Sequence, residues 1–289
     1  LVVHDVEVTG ETWPHVQIEP GGGLHVRFRP PLAPEDLLRA VREWRLFRLR
    51  SVKISLYYVE DACSVALGRE LSAWAEDPHV EHFAVSGERG SVDLDVGETR
   101  VKSLKADGCS IRVRRSPNLA WLNLTTLQRG KATHWDELFG SAPRLSVVLV
   151  AGSSALKTLR GFPPNVNRVE IGYMRSLAEL GGLKAENLRV LKFNRCPALD
   201  LDSLCANGCP PELFVRLMDI KRPGIGRLAA RGLTGLHLID SDVSDDDLEP
   251  LVGVPDLQMN WKKHYPITQD EFDARRAAVG LTSSRWQVG

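Results

Sequence analysis

Cysteine, histidine, serine and acidic side chains are the groups with which this chain could do chemistry, and their spacing can be tested against known requirements. Cys196, Cys205 and Cys209 lie close enough in sequence to suggest metal ligands. Structural zinc, however, usually needs four thiolate or imidazole ligands. Cys205-x-x-x-Cys209 has no matched second pair and no nearby histidine, so free, at least partly buried thiols are expected. His79 and His82 have a spacing that suits a helix face better than extended chain. They flank a predicted strand start and read as surface or turn histidines. Gly21-Gly22-Gly23 lacks the following Lys-Ser/Thr and the helix N-terminus that a phosphate loop requires. The acidic run from Ser241 to Asp247 lacks the glycine and distal glutamate of a calcium-binding EF-hand loop. Ser244 and Asp247, just before Leu248 and Leu251, suit the start of a helix instead. No G-x-S-x-G elbow occurs. No catalytic residue, metal or cofactor is therefore expected, and the chain does not read as an enzyme.

The pattern that dominates the chain is apolar. Leu188, Leu191, Phe193 and Cys196 share one spacing, L-x-x-L-x-L-x-x-(C/S), with Leu233, Leu236, Leu238 and Ser241. The same template fits Val101, Leu104, Ala106 and Cys109; Leu119, Leu122, Leu124 and Leu127; Leu145, Val148, Val150 and Ser153; and Val166, Val169, Ile171 and Met174. Weaker copies start at Val80 and at Val215 (Val215, Met218, Ile220), and a degenerate last copy starts at Leu257. From Val80 onward the first positions are 21, 18, 26, 21, 22, 27, 18 and 24 residues apart. Within each copy the fourth and sixth residues would point inward from a short strand, by the two-residue alternation of β structure. The first and ninth would turn inward at the bends. No single copy can enclose a core, so neighbours must stack.

This spacing resembles that of leucine-rich repeats, whose period is roughly 20–29 residues. The segment PDLQMNWKKHYPIT, which leads into a final helix, is similar to the closing stretch of some bacterial members. The resemblance covers about residues 80–280. It implies an α/β leucine-rich-repeat solenoid with parallel strands on the concave face and short helices or loops on the convex face. It also implies a non-catalytic protein-binding module, with relatives in immunity-type and regulatory settings. The ninth position here is Cys, Leu, Ser or Met and never Asn, which predicts an irregular, flattened arc.

The ends break the period. Val2–Val8, Val16–Ile18 and Leu24–Phe28 alternate like short strands. Pro34-Glu35-Asp36 opens a helix with Leu37, Leu38, Val41 and Trp44 largely on one side. Leu49, Val52, Ile54 and Tyr57 fit the template again, followed by an amphipathic helix over 64–76. Near the other end, Thr268 and Glu271 form a capping-box pattern, and Gly280 is placed to stop that helix. The expected organisation is an N-terminal α+β cap over 1–48, irregular repeats over 49–265 and a C-terminal helical cap over 266–289.

In this register the residues between the inward positions line the exposed strand face. Val166 and the strand after it offer Asn167, Arg168, Glu170 and Tyr173. The Leu188 copy offers Arg189, Lys192, Asn194 and Arg195, and the Val215 copy offers Arg216, Asp219, Lys221 and Arg222. These three copies hold seven basic and two acidic residues. Upstream, Trp121 and Asn123 and then Val147 and Leu149 make the face more aromatic and apolar. Segregated arginine beside Trp and Tyr is the composition of interface hot spots, and a partner protein with an acidic surface is expected there. An arginine-rich solenoid can also track a phosphate backbone, so a nucleic-acid reader is the second class. A parallel β-helix enzyme is a third, disfavoured because the acids are scattered.

Bulk properties agree. The 289 residues are 43% hydrophobic, enough for a sizeable core, and 37 basic residues balance 37 acidic ones. A neutral total creates no global field for nucleic acid or anionic membrane. No apolar run reaches the roughly 18–20 residues of a spanning helix. The opening LVVHDVEV has no basic stretch before a long apolar run, so no secretory leader is expected. Five cysteines without framework spacing fit a reducing compartment, and a cytoplasmic location is expected. The Arg- and Ala-rich, Lys-poor composition suits a high-GC bacterial genome.

Overall fold

The computed structural model describes residues 15–19, 23–28, 34–46, 49–56, 61–87, 92–125, 135–184, 186–200, 212–216, 225–244, 246 and 248–284. The expected strand over Val2–Val8 lies outside these residues, as do Tyr57, Leu127, Cys205, Cys209, Asp219, Lys221 and Arg222. The chain forms two compact units, Leu1–Gly152 and Ser153–Gly289. Each contains a row of parallel, in-register strands of the kind that builds a β-solenoid.

In the first unit the row runs β2 (Gly23–Phe28), β3 (Ser51–Leu56), β4 (His82–Gly87), β6 (Ser103–Asp107), β8 (Trp121–Thr125) and β9 (Val147–Ala151). Each strand pairs in parallel with the next. The exception is β1 (His15–Glu19), which joins β2 antiparallel. A second parallel pair, β5 (Asp93–Glu98) and β7 (Ser110–Arg115), supplies another wall. Among the described residues three helices accompany these strands: α1 (Pro34–Arg45), α2 (Asp61–Ala75) and α3 (Trp135–Ser141). The helix expected over 64–76 is α2, with Leu67, Leu71 and Trp74 fully buried.

In the second unit the row runs β11 (Arg168–Gly172), β13 (Val190–Asn194), β14 (Glu212–Arg216), β15 (Gly235–Ile239) and β16 (Asp256–Met259). All neighbours are parallel. A small second pair joins β10 (Thr158–Leu159) to β12 (Glu179–Leu180). The helices here are short, α4 (Ile225–Ala229) and α5 (Leu248–Leu251), until α6 (Gln269–Ala278).

Alternation along the strands builds both cores. Leu104 and Ala106, Leu122 and Leu124, Val148 and Val150, Val169 and Ile171, Leu191 and Phe193, and Leu236 and Leu238 are all buried, as the fourth and sixth template positions require. The first and ninth positions are buried too, including Val101, Cys109, Leu145, Val166, Met174, Leu188, Cys196, Leu233 and Ser241. Lacking Asn, the ninth position uses short side chains that bond back two residues. Cys109 Sγ donates to Asp107 O (3.4 Å), Cys196 Sγ to Asn194 O (3.5 Å) and Ser241 Oγ to Ile239 O (3.2 Å).

Pairing corrects two of the repeat assignments. Val215 pairs with Phe193 and Leu238, so it holds the sixth position rather than the first, and Leu213 holds the fourth. Leu257 pairs with Leu236 and is likewise a fourth residue, not a first. The fourth positions of the second unit are then Val169, Leu191, Leu213, Leu236 and Leu257, spaced 22, 22, 23 and 21 residues. In the first unit Leu24, Val52, Phe83, Leu104, Leu122 and Val148 are spaced 28, 31, 21, 18 and 26. The spacing is less even in the first unit, where α1 and α2 are inserted between strands.

Candidate functional site

The strand row of the second unit carries the largest number of the predicted contact residues. Its outward positions are set by the same alternation that buries the leucines. The third residue of β11, β13, β14 and β15 falls on one transverse line: Glu170, Lys192, Phe214 and His237. Arg168 Nε donates to Glu170 Oε1 at 2.8 Å, and Lys192 Nζ approaches the same oxygen at 3.5 Å. Lys192 Nζ also lies 5.2 Å from the centre of the Phe214 ring. Phe214 meets the edge of His237 at 4.2 Å between centroids. His237 Nε2 in turn lies 3.0 Å from Asp256 Oδ2. Charge, ring, ring and charge thus run across neighbouring strands, each pair gaining the modest energy of cross-strand contacts.

That line carries both signs of charge. Glu170 is shared by Arg168 and Lys192, so neither is a free cation. The strand there is Glu212–Arg216, which brings Glu212, Phe214 and Arg216 into the row, while Asp219, Lys221 and Arg222 lie outside the described residues. Arg216 is in register with Asn194 and Ile239. The described outward positions Glu170, Lys192, Phe214 and His237 form a mixed row. Exposed cations remain at its margins. Among the described residues Arg175, Arg189 and Arg195 are exposed and form no ion pair.

Tyr173 and Arg195 come together just past the ends of β11 and β13. The Arg195 guanidinium carbon lies 5.2 Å from the centre of the Tyr173 ring, and Tyr173 is 50% exposed. The Tyr173 backbone N–H donates to Asn194 O at 2.7 Å, which locks the two turns together. Both residues have left-handed backbones, φ 55° and 54°. Both residues, already named as contact residues from the sequence, stand at the eighth template position, as do Gly108 and Gly152.

Trp121 and Asn123 belong to the first unit. They are half-buried on the outward side of β8, in register with Val147 and Leu149 of β9. Among the other candidates, Cys109 and Cys196 are buried. His79 Nδ1 lies 3.1 Å from Asp77 Oδ1 at an exposed turn. Asp242 Oδ1 accepts from the Val243 N–H and lies 3.0 Å from His264 Nε2. No helix among the described residues is long and apolar enough to cross a membrane. No protein-family model, curated protein or solved structure matches the chain.

Proposed function

We propose that the chain is a leucine-rich-repeat solenoid that binds a partner protein through the outward strand face of its second unit, without catalysis. The burial of first, fourth, sixth and ninth positions in copy after copy supports the repeat type. The observation that carries the binding role is the exposed Tyr173 ring with Arg195 across it, beside a row whose charges and rings are already held in place. Rigid aromatic and arginine anchors of this kind dominate interface energetics because little side-chain freedom is lost on docking. The unpaired arginines favour an acidic partner surface. A regulatory or immunity-type role in a bacterial cytoplasm is the setting this reading adopts.

The test is capture by a tagged intact chain cross-linked in native lysate, compared with an Arg175→Glu, Arg189→Glu, Arg195→Glu variant whose melting temperature is measured alongside. Loss of a defined co-purifying protein from a folded variant supports the reading, and undiminished capture ends it. Fluorescence anisotropy with mixed oligonucleotides at low and physiological salt distinguishes the nucleic-acid class, for which binding would fall steeply as salt rises.

A further inference from the structure

After each of several strands the chain makes the same left-handed turn. Gly108 and Gly152 make it with φ 69° and 81°, whereas Tyr173, Arg195 and Asp240 make it with φ 55°, 54° and 52°. Left-handed backbone is unfavourable for residues with a Cβ. Asp is one of the few that visit it routinely, through its short polar side chain, and Tyr and Arg are not. The glycines show that the turn is made without any side chain. Strained positions of this kind are retained where the surroundings or a function over-determine them.

The two side chains at these positions are aimed outward and rest on each other. Arg195 lies across the exposed Tyr173 ring, which restricts a guanidinium that would otherwise sample many rotamers. It forms no ion pair among the described residues, and neither does the exposed Arg175 two residues beyond Tyr173. A planar donor fork held on an aromatic plate, with a second unpaired cation close in sequence, is complementary to a carboxylate.

We infer that Tyr173 and Arg195 form a preorganised clamp for an Asp- or Glu-bearing segment of a partner protein. This rests on the protein-binding reading above and narrows it to two residues and one chemistry. The carboxylate accepts from the Arg195 fork while the adjoining apolar part of the segment packs on the exposed edge of the Tyr173 ring. The backbone strain at both positions is then accepted for the sake of the side chains, so glycine at either should help the fold and harm binding.

The experiment is selection of phage-displayed dodecapeptides on the intact chain. Affinities of selected, fluorescein-labelled peptides are then measured for the parent, Tyr173→Gly, Arg195→Gly and Arg195→Lys. The clamp predicts enrichment of Asp or Glu and a loss of at least about tenfold in affinity for Arg195→Gly. It predicts a smaller loss for Tyr173→Gly and incomplete rescue by Arg195→Lys, which keeps charge without the fork. Both glycine variants should melt at or about 1–3 °C above the parent. Peptides without acidic enrichment, affinities indifferent to Arg195, preference for an oligonucleotide over every peptide, or glycine variants that melt below the parent would each overturn it. If lysate capture still depends on the other arginines while selected peptides ignore Arg195 and Tyr173, the clamp fails and the protein-binding reading survives.

Discussion

Arg276 is fully buried, yet it is among the most completely satisfied side chains in the second unit. Its Nε donates to Thr282 O (2.8 Å), its Nη1 to Leu251, Val252 and Val254 O (3.3, 3.0 and 2.8 Å) and its Nη2 to Pro255 O (3.2 Å). These include carbonyls at the end of α5 that have no partner within the helix. Burial pulls the guanidinium below its ordinary pKa, while Asp273 and Asp256 oppose that shift; it stays protonated at any working pH. Arg276→Ala should cost about 3–5 kcal/mol in a urea titration, because it strands several buried carbonyls together. Arg276→Lys should recover only part of this loss, since it cannot span the same set. At the surface, Glu81 accepts from Arg50 at 2.8 Å and Lys102 at 3.0 Å, and these bonds lower its pKa. Glu271 is lowered by the Thr268 backbone N–H and hydroxyl. A carboxyl depressed in the folded state contributes stability that is complete above its unfolded pKa. That contribution is lost as pH falls through the folded value. The melting temperature should therefore drop in the acid range below the ordinary value of 4.5. The slope should be shallower in a Glu81→Gln, Glu271→Gln variant, and an unchanged slope would exclude these two groups as contributors.

At the scale of elements, helix ends and turns decide where each coil begins and stops. α6 starts with a reciprocal capping box, Thr268 Oγ1 accepting from Glu271 N at 3.2 Å and Glu271 Oε2 accepting from Thr268 N at 2.7 Å. Thr268→Ala should cost about 1 kcal/mol, measurable by chemical denaturation. The turn after β6 is less forgiving. Gly108 has φ 69°, and a Cβ there would press into the carbonyl oxygen of Gly87. Gly232, with φ 95°, faces open space. Gly108→Ala should therefore destabilise by more than about 2 kcal/mol and Gly232→Ala by about 1 kcal/mol. Equal effects would mean that the neighbouring backbone yields.

This is also the scale at which sequence reasoning succeeded and failed. The capping box was legible because its two residues are local. Fourth and sixth positions from Val52 to Leu238 were mostly legible because burial imposes a strict period. The period misled at Val215, where Val215, Met218 and Ile220 mimic the template, while strand pairing puts Val215 at a sixth position. The row from Glu170 to Asp256 was not legible as a unit. Its members are separated by some twenty residues, and only cross-strand pairing brings Phe214 and His237 together.

Across the whole molecule, a neutral chain divides into two solenoidal units of different regularity. The second has near-constant spacing, and its outward row aligns like with like: one line of third-position residues and one set of left-handed turns. The first carries two helices between its early strands and a second wall, β5 and β7, crossed by the pairs Arg114–Asp95 (2.7 Å) and Arg115–Glu98 (3.4 Å), while Arg112 of β7 pairs with Glu137 of α3 (2.8 Å). Exposed pairs of this sort contribute little stability each, and on this wall arginine is already answered by acid. Arg175, Arg189 and Arg195 of the second unit form no ion pair among the described residues. On the binding reading proposed above, that difference would direct an acidic partner to one surface rather than the other. The most direct measurement is hydrogen–deuterium exchange of the chain alone and bound to its captured partner. Slowed exchange confined to the segments 168–175 and 189–196 is predicted, with 93–98 and 110–115 unchanged. Protection on 93–115, with none on the second unit's strands, would contradict the account.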